Sequence, residues 1–172
     1  MADAARAPRS RSVPPTALLT ALVLVLAGLA YWLNVQLADE RALAADREAV
    51  VRAAAAHAVA LLSVNHRTVD DDLKRALATA TGQERADYEK NAPALRATTL
   101  EKKVVQTGVL RASALESLSA DRRTAEVLIV ADAEIHWEDG KKAAPEERFY
   151  RWRMKVTEAG GLWLVAAAER VP

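Results

Sequence analysis

The longest uncharged run of the chain, from Ser12 to Ala38, constrains its fold more than any other feature. Residues 17–33 are almost entirely apolar, and a helix needs about 20 such residues to cross a bilayer. We therefore predict a transmembrane helix over residues 16–37. A cleaved signal peptide is the alternative, because Gly28 and Ala30 offer small residues for a cleavage site. The apolar pattern continues past that site, which favours the uncleaved helix.

The charges beside this run predict its orientation. Arginines precede it at Arg6, Arg9 and Arg11, and Asp39 and Glu40 follow it. Positively charged flanks stay in the cytoplasm. We therefore expect a disordered cytoplasmic tail over residues 1–15 and an extracytoplasmic α+β domain over residues 38–172. The protein would be a single-pass protein of the plasma membrane with its N-terminus inside.

Composition excludes several classes of function. The chain has no cysteine, which removes disulfides, thiol nucleophiles and thiolate metal sites. Its net charge of +1 provides no general attraction for nucleic acid. The segment beyond the span is long enough to bury a core of its own.

Helical patterns occupy the first part of this segment. An alanine-rich connecting helix is predicted over residues 38–62, continuing from the span. One weak apolar stripe on it would pack against the domain or against a partner helix. The stripe comprises Leu43, Val50, Ala54, His57 and Leu61.

Further helices are predicted over residues 68–98. Thr68 is a candidate N-cap, and Asp70–Asp72 would lie in the first turn, where carboxylates oppose the helix dipole. The three aspartates could instead bind a divalent cation, but the capping interpretation is favoured. Gly82 is a candidate C-cap, and Pro93 would kink or restart the second helix.

A strand meander is predicted over residues 103–171, with Gly108 as a candidate bulge. About four antiparallel strands with helices on one face give an α+β fold. The strands are expected at 103–118, 125–137, 148–157 and 162–171.

Alternation in the second strand separates two faces. Asp132, Glu134 and His136 share one face and could form a proton-transfer pair. The favoured interpretation is cross-strand ion pairing on the solvent side. The basic partners would be Arg151, Arg153 and Lys155.

Large apolar side chains mark the opposite faces of the strands. They would form either the ordinary core or an apolar pocket for a lipid. The set comprises Ile129, Trp137, Tyr150, Trp152 and Trp163. His57 and His66 are isolated, and no HExxH motif or glycine-rich phosphate loop occurs, so we predict no metal, no cofactor and no catalytic residue.

The order of these segments resembles the actinobacterial Mce-associated membrane proteins over nearly the whole chain. The resemblance follows the arginine-bearing tail, the single span and the alanine-rich helix. It also rests on residues 69–82 (VDDDLKRALATATG), 87–97, 104–109 (VVQTGV), 124–133 (TAEVLIVADA), 150–156 (YRWRMKV) and 161–165 (GLWLV). Residues 64–66 depart from it, since relatives often carry a tyrosine-containing segment there.

The resemblance implies a nuclear transport factor 2-like, cystatin-like domain with helices on a curved sheet. It also implies a non-enzymatic accessory role beside Mce complexes, which import lipids or sterols, with Mce subunits and lipid as the expected partners. The alternatives are a module that binds small apolar ligands and, less favoured, an isomerase- or dehydratase-like enzyme using Asp132 or His136.

Overall fold

The computed structural model describes residues 15–140 and 144–172, without the side chains of residues 15–18 and 21. The predicted cytoplasmic tail lies outside these residues apart from Pro15. Contacts divide the chain into two units, Met1–Ala42 and Leu43–Pro172. The globular unit thus begins at Leu43, whereas the sequence suggested residue 38.

Helix α1, Pro15–Leu62, contributes to both units. Proline suits its first position, since the N–H it lacks would have no helical partner there. The segment Leu22–Leu62 is long and apolar enough, by length and composition, to cross a membrane. In the first unit its large apolar side chains are exposed, from Leu19 to Leu37.

The second unit is an α+β domain whose sheet is an antiparallel meander in the order β1-β2-β3-β4-β5. The predicted fold class is confirmed, with five strands instead of about four. The additional strand is β1, which is too short to produce an alternating pattern. The elements after α1 are β1 Val64–Asn65, α2 Val69–Ala78, α3 Gly82–Glu101, β2 Val104–Leu118, β3 Thr124–Trp137, β4 Glu146–Ala159 and β5 Leu162–Arg170.

The core lies between α1 and the inner face of the sheet. Every second residue of β3 from Ala125 to Ile135 is buried, as the alternation predicted. Ala54 and Ala58 of α1 are fully buried in the same cluster. Their small side chains let the backbone of α1 approach the sheet closely, so α1 and the sheet form two directly packed layers.

Gly108 is required for close packing, and the prediction of a bulge there was wrong. It pairs in regular register with Ala133. A Cβ added at Gly108 would lie 2.5 Å from the Cβ of Leu62 at the end of α1. A glycine in a strand marks such a close approach as well as a bulge, and here the approach explains it.

The extra residues of β2 occur further along, at Arg111 and Glu116. Each is charged and each pairs with a residue of another strand: Arg111 with Asp132, and Glu116 with Arg153. Within the described residues, β1 pairs only with Val105 and Gln106 of β2. Both bulges therefore lie on a stretch of edge that no strand covers.

Thr68 occupies the N-cap position of α2 as predicted, but its side chain makes no capping hydrogen bond, and Asp72 fixes the start of the helix instead. The hydroxyl of Thr68 donates to Asp72 Oδ2 at 2.9 Å, and the backbone N–H of Asn65 donates to the same oxygen at 2.9 Å. Arg75 donates to Asp72 Oδ1 at 3.0 Å. The almost buried carboxylate of Asp72 thus connects α2 to β1. A carboxylate that only opposed the dipole of α2 would not make this connection.

The link between α2 and α3 also differs from the prediction. Gly82 does not end α2 but begins α3, with a φ of 52°. Backbone bonds join the link to β5, from Val165 N to Thr79 O at 3.0 Å and from Thr81 N to Val165 O at 2.8 Å. The link therefore covers the middle of the β5 edge. Helix α3 continues through Pro93 to Glu101 without restarting.

Two exposed ion pairs join elements distant in sequence. Arg96 donates to Asp70 at 2.7 and 3.2 Å, joining α3 to α2. Arg153 donates to Glu116 at 2.7 and 2.9 Å, joining β4 to β2. Hydrogen bonds from these arginines hold the pKa values of Asp70 and Glu116 below their usual range.

These pKa shifts predict a loss of stability in acid. Because both pKa values are lowered in the folded state, the stabilisation is complete above about pH 5 and is lost as the pH falls through 4 and below. We expect the urea midpoint to fall between pH 5 and pH 3. A double variant, Arg96→Gln with Arg153→Gln, should show a smaller fall over the same interval. An equal fall in both proteins would contradict this account.

Candidate functional site

The second unit has two main concave surfaces among its described residues. A cavity of about 250 Å³ lies between α3 and the sheet, and we call it the α3 cavity. A groove of about 540 Å³ lies between α1, α2 and β2, and we call it the α1 groove. These two surfaces are the candidate binding sites considered below.

The base of the α3 cavity is apolar because inward-facing side chains of neighbouring strands meet α1 and α3 there. In the sheet, Val64 pairs with Gln106, which pairs with Ile135, and Val104 pairs with Trp137. The apolar lining comprises Leu61, Val64, Leu95, Val104, Ile135 and Trp137.

Polar side chains enter the same cavity. Arg148 pairs in register with Ala133, which is buried, so Arg148 lies on the inner side of β4 near its beginning. Its Nε donates to Glu146 at 2.6 Å, which raises the pKa of Arg148 and lowers that of Glu146. The other polar lining residues are Thr98, Thr99, Lys102 and Gln106.

The position of Arg148 on the inner face, where about half of its side chain stays exposed, was missed in the sequence. Tyr150, Trp152 and Met154 alternate onto the inner face of β4, and the same two-residue period reaches Arg148. This alternation is visible in the sequence, but a charged residue at the end of a strand is usually interpreted as solvent-facing.

Small apolar side chains form the floor of the α1 groove. Ala55, Ala56, Val59 and Ala60 of α1 meet Leu110 of β2 there. Arg52 and Arg75 also line it, and each already pairs with an acid on its own helix, Glu48 at 3.1 Å and Asp72 at 3.0 Å. The groove is therefore an apolar surface beside two neutralised arginines.

The stripe proposed for a partner helix is largely used within the domain. Val50 and Ala54 are fully buried against the sheet, and Leu61 lines the α3 cavity. Leu43 is half-buried at the start of the second unit. A partner would therefore meet the adjacent face of α1, which carries the α1 groove.

The aromatic set is mostly part of the core. Tyr150 and Trp152 stack with ring centroids 4.9 Å apart, and Trp163 packs against the same cluster as buried Ile129. From this set, Trp137 is the residue that lines the α3 cavity. The inner face is thus filled at its centre and hollow near the end of β3.

His57 of α1 is fully buried and contacts both the link between α2 and α3 and the first turn of α3. Its Nδ1 lies 2.8 Å from Thr79 Oγ1, and its Nε2 lies 3.4 Å from Glu84 Oε1. His66 lies 2.9 Å from Glu138 near the surface. Among the described residues, no group of three His, Cys, Asp or Glu side chains could hold a metal ion.

Asp132, Glu134 and His136 lie on the outer face of β3, away from both concave surfaces. Asp132 pairs with Arg111 of β2, and Glu134 pairs with His136 at 2.9 Å. The basic partners expected from β4 were wrong: Arg153 pairs with Glu116, while the register opposes Arg151 to Val130 and Lys155 to Glu126. The bulges of β2 bring its own charged residues within reach, which strand spacing alone could not indicate.

Comparison with known proteins places the chain in a family. A family model described as "Uncharacterized protein Rv1363c/MT1408-like" matches residues 13–172. The chain belongs to this family. A curated relative, "Uncharacterized protein Rv1363c" of Mycobacterium tuberculosis (strain ATCC 25618 / H37Rv), is 30% identical over 112 residues, which are 65% of this chain. The match spans 41% of the relative's own length.

Solved structures confirm the nuclear transport factor 2-like fold of this family member. The periplasmic domain of DotI superposes with a TM-score of 0.58 at 16% identity, covering 73% of this chain and 94% of that one. The VirB8 protein of Agrobacterium tumefaciens superposes with a TM-score of 0.57 at 11% identity, covering 73% and 92%. At these identities the likeness establishes the fold alone.

Proposed function

We propose that the protein is a non-enzymatic, single-pass accessory subunit that stabilises or assembles a Mce-type lipid or sterol import complex. Its N-terminus lies in the cytoplasm and its globular domain lies outside. The α1 groove receives a helix of another subunit, and the apolar part of α1 holds the domain at the membrane.

The observation that carries the proposal is the small-residue surface of α1 that the domain's own core leaves uncovered. Ala56 is exposed, and Ala55 and Val59 are partly exposed, beside the buried face that packs on the sheet. Small side chains let a second helix come close enough for many backbone and side-chain contacts. A chain that only tethered a domain would have no use for such a surface.

The membrane part of the proposal is supported by the apolar helix and by the fold shared with the periplasmic domain of DotI. The proposed role beside a Mce complex rests on the resemblance of segments such as residues 69–82 and 150–156 to Mce-associated membrane proteins. The non-enzymatic part is supported by the outer-face positions of Asp132 and His136, which the enzyme hypothesis needed inside a cavity.

A charge placed in the α1 groove tests the proposal. We expect Ala56→Glu to reduce co-purification of Mce subunits by about tenfold or more, because a bulky charged side chain would replace a methyl group at the centre of the contact. The measurement is affinity purification of the tagged full-length protein from its native membrane in mild detergent, with quantitative mass spectrometry.

The matched control is Ala45→Glu, at an exposed alanine about three turns earlier on α1. It adds the same charge outside the groove and should leave recovery unchanged. Undiminished recovery with Ala56→Glu would refute docking at the groove. A folded wild-type protein recovered reproducibly without Mce subunits would refute the accessory role.

A further inference from the structure

We propose that the α3 cavity binds a small amphiphile with a single carboxylate head group. The inference does not depend on the α1 groove or on any partner protein. It rests on the side chains that converge at one end of the sheet.

Arg148 is the central observation. Its side chain is 52% exposed, so it lies at the mouth of the cavity, and Glu146 accepts a hydrogen bond from its Nε–H. The terminal nitrogens of arginine present four further N–H donors in a planar fork, which suits a carboxylate in two-point contact. Glu146 therefore orients the arginine, Tyr150 also contacts it, and a ligand carboxylate would meet the donors that remain.

The charge of the site favours a monoanion. Lys102 also lines the cavity and has no carboxylate partner among the ion pairs of the described residues. Lys102 and Arg148 together carry two positive charges against the one negative charge of Glu146. A single carboxylate would bring this local set to neutrality at the solvent-exposed mouth of the cavity.

The remaining lining suits the rest of an amphiphile. Thr99 is almost fully buried, and Gln106 lies on the inner side of β2 between Val64 and Ile135. Trp137 and Leu95 provide apolar contact at the base. A ligand here would have a polar end beside Arg148 and an apolar body against α3.

The volume limits the size of the ligand. About 250 Å³ corresponds to roughly eight water molecules of ~30 Å³ each, so it holds a ligand of about eight to ten non-hydrogen atoms. Octanoate is a carboxylate of this size and is the probe for the test. 1-Octanol and octylammonium share its apolar body with a neutral and a positive head group.

The test measures binding of radiolabelled octanoate to the full-length protein in lipid nanodiscs by equilibrium dialysis. Nanodiscs carrying each variant share the same lipid background. We expect saturable binding of one octanoate per chain, weakened about ten- to a hundredfold by Arg148→Gln, because a hydrogen bond to a charged group is lost. Thr98→Phe, which fills the cavity from α3, should abolish the binding.

The matched control is Arg151→Gln on the outer face of the same strand, which should bind octanoate like the wild type. 1-Octanol and octylammonium should bind more weakly than octanoate to the wild type and should not respond to Arg148→Gln. The proposal is overturned if octanoate binding is unchanged by both Arg148→Gln and Thr98→Phe, or if 1-octanol binds as tightly as octanoate.

Discussion

Replacing Ile129 with alanine is expected to lower the free energy of unfolding by about 2–5 kcal/mol. Ile129 is 1% exposed, at the centre of the inner face of β3, and it belongs to the cluster formed with Val50 and Ala54 of α1. The neighbouring positions are fixed by the sheet, so the structure cannot collapse fully into the space left by the larger side chain.

The measurement is urea unfolding of the full-length protein in detergent, followed by far-ultraviolet circular dichroism. Val130→Ala is the control, since Val130 is the next residue of β3 and is 38% exposed on the outer face. Its loss should be within about 0.5 kcal/mol, as for ordinary surface substitutions. Equal losses in the two variants would show that the core does not lie on the Ile129 face.

Gly108→Ala is expected to destabilise the domain by about 1–3 kcal/mol through overpacking. The added Cβ would meet the Cβ of Leu62 at 2.5 Å, and the backbone of Leu62 lies only 3.2 Å away. Because helix backbone is involved, rotation of a side chain cannot relieve the contact. The end of α1 has to move away from β2, or β2 has to bend.

A double-mutant cycle identifies the cause. Leu62→Gly removes the Cβ that the new methyl group would meet, and alone it should cost about 3–6 kcal/mol as a core truncation at a helix end. Combined with Gly108→Ala, the total should be smaller than the sum of the two separate losses by about 0.5 kcal/mol or more, because the contact between the two Cβ atoms is removed. The readout is the same urea titration. Additive losses would place the effect of Gly108→Ala in β2 itself instead of in its contact with α1.

The elements with long, regular patterns could be predicted from the sequence. Alternation over residues 125–137 was sufficient for β3, and the glycines at 160 and 161, both with positive φ, mark the turn between β4 and β5. β1 could not be predicted, because two residues carry no period. The glycine at position 108 indicated an unusual feature of the strand, but a glycine inside a strand is equally typical of a bulge and of a close approach by another backbone.

The two concave surfaces depend on information that no local pattern contains. Which face of α1 stays uncovered is decided by the sheet that packs on the other face. Likewise, Thr98, Gln106 and Arg148 come from three elements, and only the strand register and the position of α3 bring them together. The residue types could be read from the sequence, but their proximity in the folded domain could not.

The two charged bulges of β2 have a consequence for contacts between copies of the protein. A flat strand with unsatisfied backbone groups is a template on which another chain can grow. At Arg111 and Glu116 the template is bent and carries side chains already engaged with Asp132 and Arg153. The uncovered edge of β2 is therefore a poor template for edge-to-edge pairing between copies.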